Sequence, residues 1–163
     1  MLTWKTGYGV EQSHELAAHL KTLDPAIERV YSSPFYRCIQ TITPTVEALL
    51  IASSDPKSLK IRAENGIGEW YGKARFDHPS PASIDVLSKL FSHLDVNYQP
   101  VIIPTVNGEG IHELHDRCAY ALHRMIEQCD KEGVKVCWYS KFLEFNLYVK
   151  SIIHPSKSHF FPI

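Results

Sequence analysis

Apolar positions recur near helical spacing from Val10 to Leu23, with Val10, Leu16, Ala17, Leu20 and Leu23 on one side, until Asp24-Pro25 stops the pattern. This predicts a first helix. Ile27 to Ser32 reads as a short strand, and Tyr36 to Leu50 as a second helix whose inward stripe is Ile39, Ile42, Val46, Leu49 and Leu50. Pro44 falls inside that helix and has no N–H to give, which predicts a kink or a broken hydrogen bond. Asp55-Pro56-Lys57-Ser58 reads as a turn. Leu59, Ile61 and Ala63 then alternate with Lys60, Arg62 and Glu64 as a half-buried strand does.

Gly66, Gly68 and Gly72 turn the next stretch into a loop, which His78-Pro79-Ser80-Pro81 continues. Ser83 is placed to cap a helix reaching about Leu94, with Ile84, Leu87, Leu90, Phe91 and Leu94 on one face. Pro100 to Pro104 is extended, and Asn107-Gly108-Glu109-Gly110 turns into a long helix from Ile111 to Lys131. Its inward residues are Leu114, Cys118, Ala121, Leu122, Met125 and Cys129, and Gly133 ends it. Val134 to Tyr139 reads as a further strand. Strands separated by helices predict an α/β fold, a three-layer sandwich with a mainly parallel central sheet. The domain is expected to occupy residues 1–140 and residues 141–163 to form a divergent segment, whose tail from Pro155 to Ile163 shows no regular period and is expected to be poorly ordered or packed opportunistically.

At 163 residues the chain suits one domain. Seventeen Lys and Arg stand against eighteen Asp and Glu, so no global basic field draws in nucleic acid, and an anion site must be local. Four cysteines, Cys38, Cys118, Cys129 and Cys137, are widely spaced without a Cys-x-x-Cys pair. With no signal-peptide pattern, this reads as free thiols in a reducing compartment, cytoplasm or nucleus. No apolar run reaches the ~20 residues of a bilayer span.

The candidate chemistry lies in Val30-Tyr31-Ser32-Ser33-Pro34-Phe35-Tyr36-Arg37-Cys38-Ile39-Gln40-Thr41. A strand that breaks at Ser-Ser-Pro delivers Arg37 into the first turn of a helix. There a guanidinium fork and a partly positive helix terminus converge on one anion. Ser32 and Ser33 can lend hydroxyls to a phosphate or simply shape the turn.

Together with Gly66-Ile67-Gly68-Glu69-Trp70-Tyr71-Gly72, this segment resembles the histidine phosphatase superfamily, the phosphoglycerate-mutase-like proteins. The resemblance runs from Tyr8-Gly9-Val10-Glu11-Gln12-Ser13-His14-Glu15-Leu16 to Asn107-Gly108-Glu109 and Arg117. It implies phosphomonoester hydrolysis through a phosphohistidine, without a metal or other cofactor, on a phosphorylated small molecule or phosphoprotein. Phosphoryl transfer gains mainly from alignment and from positive charge on the equatorial oxygens. Arg37 matches one of the family's catalytic arginines. Glu69 is the candidate general acid, with Glu64 at the strand end as its rival. Ser33, Trp70 and Tyr71 are candidate substrate contacts, the two aromatics serving either as pocket wall or as core. Glu109 and Arg117 read as helix-start charge and a solvated or structural ion pair.

The family pattern also includes an Arg-His-Gly motif on a first central strand and a second histidine motif after the last strand. Neither occurs between Met1 and Ile163, where Cys137-Trp138-Tyr139-Ser140-Lys141 follows Val136. His14, His19, His78, His93, His112, His115, His123, His154 and His159 do not fit either place. His112, His115 and Cys118 share a helix face without a fourth ligand, a poor zinc pattern. The sheet is therefore expected to lack its first central strand and this chain to be inactive. Resemblance to fungal members, similar to the phosphatase-like subunit of the RNA polymerase III general transcription factor, implies an alternative role as a non-catalytic subunit or scaffold. In that role it contacts neither nucleic acid directly nor a membrane.

Overall fold

The computed structural model describes residues 7–53, 59–134, 136–140 and 148–150. The turn expected at Asp55–Ser58 and the tail from residue 151 lie outside the described residues. At the centre is β1 (Arg29–Ser32), flanked by two parallel neighbours, β2 (Ile61–Ala63) and β3 (Val136–Ser140). Val30 stands opposite Ile61 and Trp138, and Ser32 opposite Ala63 and Ser140. A fourth strand, β4 (Tyr148–Lys150), pairs antiparallel with β3, so the order across the sheet is β2-β1-β3-β4. The mainly parallel sheet agrees with the sequence; β4 was not predicted.

Successive side chains of a strand point to opposite faces, and β1 uses both. Val30 joins Ile61 and Ala63 in a core with Leu20 of α1 (Gly7–Leu20), Ile39, Ile42 and Val46 of α2 (Tyr36–Ala52), and Leu87 of α3 (Ile84–Leu90). Tyr31 points the other way, into a second core with Ile67 and with Ala121, Met125 and Cys129 of α4 (Ile111–Lys131). Helices thus cover both faces, giving the three layers.

The stripe predicted for α2 is buried as expected, and the helix continues through Pro44. The hydroxyls of Thr41 and Thr43 donate to the carbonyls of Arg37 and Ile39, both at 2.7 Å. For α4 both ends coincide with the prediction. Glu113 accepts from the Gly110 N–H at 2.7 Å, and Gly133, at φ +70°, closes the C-terminus in the left-handed region. Two corrections fall on α1 and α3. The first helix starts earlier and stops at Leu20. The third stops at Leu90, and Ser83 makes no side-chain cap. Phe91 and Leu94 are nevertheless buried, because the chain after α3 turns back and Leu94 bridges to Ile61 at the sheet edge.

Candidate functional site

The parallel strands β1 and β2 end level with each other, Ser32 opposite Ala63, and the chain beyond both ends builds the site. Beyond β1, Ser33-Pro34-Phe35 leads into α2, which places Arg37 in the helix's first turn. Beyond β2, Glu64 starts a 3-10 turn, Asn65–Ile67, and the irregular segment after it carries Glu69. These two loops bring Arg37 and Glu69, 32 residues apart, into a close ion pair in which Arg37 Nη2 donates to Glu69 Oε2. The Arg37 side chain is 25 % exposed and that of Glu69 11 %, so the pair is largely shielded from water.

The Cys38 thiol reports what converges there. Burial pushes it above the usual thiol range; Ser33 and Arg37 pull it down, and Glu69 pushes it up. Ser33 Oγ is buried beside that thiol and makes no other hydrogen bond among the described residues. At the start of α2, Phe35 occupies the cap position and offers no side-chain acceptor to the helix's first N–H groups.

Glu64 has a different setting. It is fully buried and accepts three hydrogen bonds, from Gly66 N–H at 2.6 Å, Tyr98 OH at 2.5 Å and Val101 N–H at 2.8 Å. Burial, with this carboxylate as acceptor, pushes the Tyr98 phenol far above the ordinary range. Glu64 thereby ties the end of β2 to the segment around residues 98–101.

Glu109 and Arg117 form a second, more deeply buried pair. Arg117 Nε lies 2.9 and 3.0 Å from the two carboxylate oxygens, and Nη2 also donates to Oε1. Its Nη1 donates to the carbonyls of Gly66 at 2.8 Å and Asn65 at 3.3 Å. Arg117 therefore locks α4 to both the 3-10 turn and the loop before the helix. That loop is fixed further at Gly108, where φ is +81° and an added Cβ would lie 2.4 Å from the Gly72 carbonyl oxygen. Glu109 N–H donates to the Tyr71 carbonyl at 2.9 Å, and Trp70 Nε1 donates to the Glu109 carbonyl at 3.0 Å.

Between these loops is a cavity of about 260 Å³ whose walls include Phe35, Glu69, Tyr71, His78, Pro104 and Glu109. Of the candidate catalytic and substrate-contact residues, Glu69 and Tyr71 line it, as does Glu109 of the ion pair. Arg37 meets it through Glu69, Ser33 is buried at the start of α2, and Trp70 braces the Glu109 loop. The Tyr71 phenol is pushed up by burial and by Glu69, against the opposing pull of Arg37. The sequence reading placed His78 in the loop and matched it to neither histidine motif; the structure sets it in the cavity wall. Its ring stacks on Tyr71 at 4.8 Å and 12°, and its Nε2 lies 2.7 Å from the Gly72 carbonyl oxygen. Its place in a proline-rich loop after the glycines is the signal that could have found it. Among the described residues no group of three His, Cys, Asp or Glu side chains is placed to hold a metal, and no helix is long and apolar enough to cross a membrane.

Comparison with known proteins bears on this geometry. The family model of the histidine phosphatase superfamily (branch 1) matches residues 6–147. The chain is 34 % identical over 127 residues to the transcription factor tau 55 kDa subunit of Saccharomyces cerevisiae, covering 77 % of this chain and 27 % of that protein. It is 32 % identical over 96 residues to the ecdysteroid-phosphate phosphatase of Drosophila melanogaster, covering 59 % of this chain and 12 % of the relative. The crystal structure of the ecdysone phosphate phosphatase from Bombyx mori, in complex with tungstate, superposes with a TM-score of 0.67 at 20 % identity. The match covers 82 % of this chain and 50 % of that one, a likeness of fold. The chain thus spans well under a third of either curated relative's length.

Proposed function

The chain belongs to the histidine phosphatase superfamily, and we propose that it acts there as a non-catalytic, phosphatase-like domain serving as a subunit or scaffold in a protein assembly. The observation that carries this reading is the closure of Arg37 on Glu69. Phosphoryl transfer draws on positive charge held ready for the equatorial oxygens, and here that charge is cancelled by a carboxylate of the same chain. The likeness to the tau 55 kDa subunit supports membership of a transcription-factor assembly, hence a nuclear place, and the net charge of −1 favours protein over nucleic-acid contacts. Residues 1–140 are the proposed phosphatase-like domain and 141–163 a divergent segment.

The similarity to ecdysteroid-phosphate phosphatase favours a second reading, phosphomonoester hydrolysis by a longer form of the protein. In it Arg37 holds the phosphoryl oxygens and Glu69 protonates the leaving oxygen. Affinity capture of the tagged endogenous protein, followed by mass spectrometry, separates the two. Co-purification with transcription-factor subunits, in a protein that does not hydrolyse aryl phosphates, supports the first. Turnover lost in Arg37→Ala, with no such partners, overturns it.

A further inference from the structure

We propose that Ser80 is a phosphorylation site, taking a phosphoryl group from ATP through a proline-directed serine/threonine kinase, and that the phosphate charges the mouth of the cavity shared with Glu69 and Glu109. Kinases of this class require a proline immediately after the acceptor and read their substrate as an extended segment. The chain offers three such dipeptides, Ser33-Pro34, Thr43-Pro44 and Ser80-Pro81. Folding withdraws two of them. Ser33, just before α2, is only 1 % exposed. Thr43 lies within α2, with its backbone helical and its hydroxyl donated to the Ile39 carbonyl at 2.7 Å. Ser80 alone is exposed, in a stretch, residues 77–83, that forms neither helix nor strand.

The backbone around Ser80 suits a kinase cleft. Pro81 pushes the residue before it toward extended conformations, and Pro79 has its own φ fixed. Neither proline has an N–H, so residues 79–81 have a single backbone donor with which to be tied to the rest of the fold. The stretch is held from its two ends instead, by the His78 N–H donated to the Val106 carbonyl at 2.8 Å and by the start of α3 at Ile84. Pro79 is exposed and Pro81 half-buried, so drawing Ser80 into a cleft uncovers little apolar surface. Transfer forms a bond between Ser80 Oγ and the γ-phosphorus of ATP and breaks the bond from that phosphorus to the bridging oxygen, which leaves with ADP; the hydroxyl proton passes to the kinase's base. The phosphate adds a charge of about −1.5 to −2 to a chain whose net charge is −1. Glu69 and Glu109 on the same wall already engage Arg37 and Arg117, so the added charge makes the cavity mouth anionic, whether or not the domain is catalytic.

The test is incubation of the purified 163-residue protein with a mitogen-activated protein kinase and magnesium ATP, read by intact mass and by fragmentation of the phosphopeptide, for wild type, Ser80→Ala, Ser80→Thr and Pro81→Ala. Wild type is expected to gain a phosphoryl group on Ser80, and Ser80→Thr to carry it as phosphothreonine at the same position. Ser80→Ala and Pro81→Ala are expected to lose it, with circular dichroism unchanged because residue 80 is exposed. Should the alanine variant not fold, the appearance of phosphothreonine in Ser80→Thr decides the matter. The same phosphopeptide is expected in the endogenous protein captured in the presence of phosphatase inhibitors. Wild type that takes no phosphoryl group or takes it on Ser33 or Thr43, modification that persists in Pro81→Ala, or an endogenous protein without phosphate on Ser80 overturns the inference.

Discussion

Replacing Arg117 by methionine keeps an apolar stem of similar length and removes the guanidinium from a site where it is 3 % exposed. The Glu109 carboxylate, 12 % exposed, then loses its counter-charge, and the carbonyls of Gly66 and Asn65 lose their bonds from Nη1. Breaking a buried pair on one side destabilises by ~3–5 kcal/mol, because the remaining charge is left uncompensated. Against a typical domain stability of ~5–15 kcal/mol, that is a third or more of the total. Urea unfolding at pH 7, followed by circular dichroism, measures it for Arg117→Met, Glu109→Gln and the double variant. The double variant is expected to be less destabilised than the sum of the two by more than ~1.5 kcal/mol, since it strands no charge. The Lys73–Glu113 pair, whose side chains are 66 % and 56 % exposed, provides the contrast, with Lys73→Ala moving stability by under ~1 kcal/mol. A cost for Arg117→Met no larger than that of Lys73→Ala would refute the reasoning.

Gly108→Ala combines a left-handed φ with a Cβ 2.4 Å from the Gly72 carbonyl, so we expect a loss of at least ~2 kcal/mol in denaturant unfolding and a shift in tryptophan emission as the Trp70 brace opens. Glu64→Ala strands three donors, the N–H groups of Gly66 and Val101 and the Tyr98 hydroxyl, and should cost at least ~3 kcal/mol by the same assay. Burial, with the Cys129 sulfur 3.7 Å away, pushes the Tyr31 phenol up from 10.0 to about 12. The folded state therefore holds this proton more tightly than the unfolded one. Its contribution is complete below pH 10 and is lost as pH rises from 10 to 12, so the unfolding midpoint should fall across that window in wild type and less steeply in Tyr31→Phe.

Helices α2 and α4 were legible because their apolar residues keep a 3.6-residue period over many turns, which local competition cannot blur. The C-terminal ends of α1 and α3 were not, since Leu23, Phe91 and Leu94 keep the apolar pattern and pack against the core although the helices stop at Leu20 and Leu90. Strand β4 has no periodic signature in so short a run. Arg117 shows a different limit. Glu109 and Arg117 read as either a solvated or a structural ion pair, and only the folded turn at Gly108 decides for the structural one, carrying Glu109 beneath Arg117 where both become buried. Arg37 and Glu69 were each legible from their segments, but their pairing depends on two loops meeting beyond β1 and β2. The same meeting separates the two candidate carboxylates, Glu69 at the cavity wall and Glu64 tied down by three donors. His78 has no helical or strand pattern to place it, and its position follows from its stack on Tyr71.

The measurement that tests the account most directly is phosphate release from p-nitrophenyl phosphate by the purified 163-residue protein, with Arg37→Ala as its control. An arginine already neutralised by Glu69 predicts release indistinguishable between the two proteins. Multiple turnovers by the wild type that vanish in Arg37→Ala would contradict it.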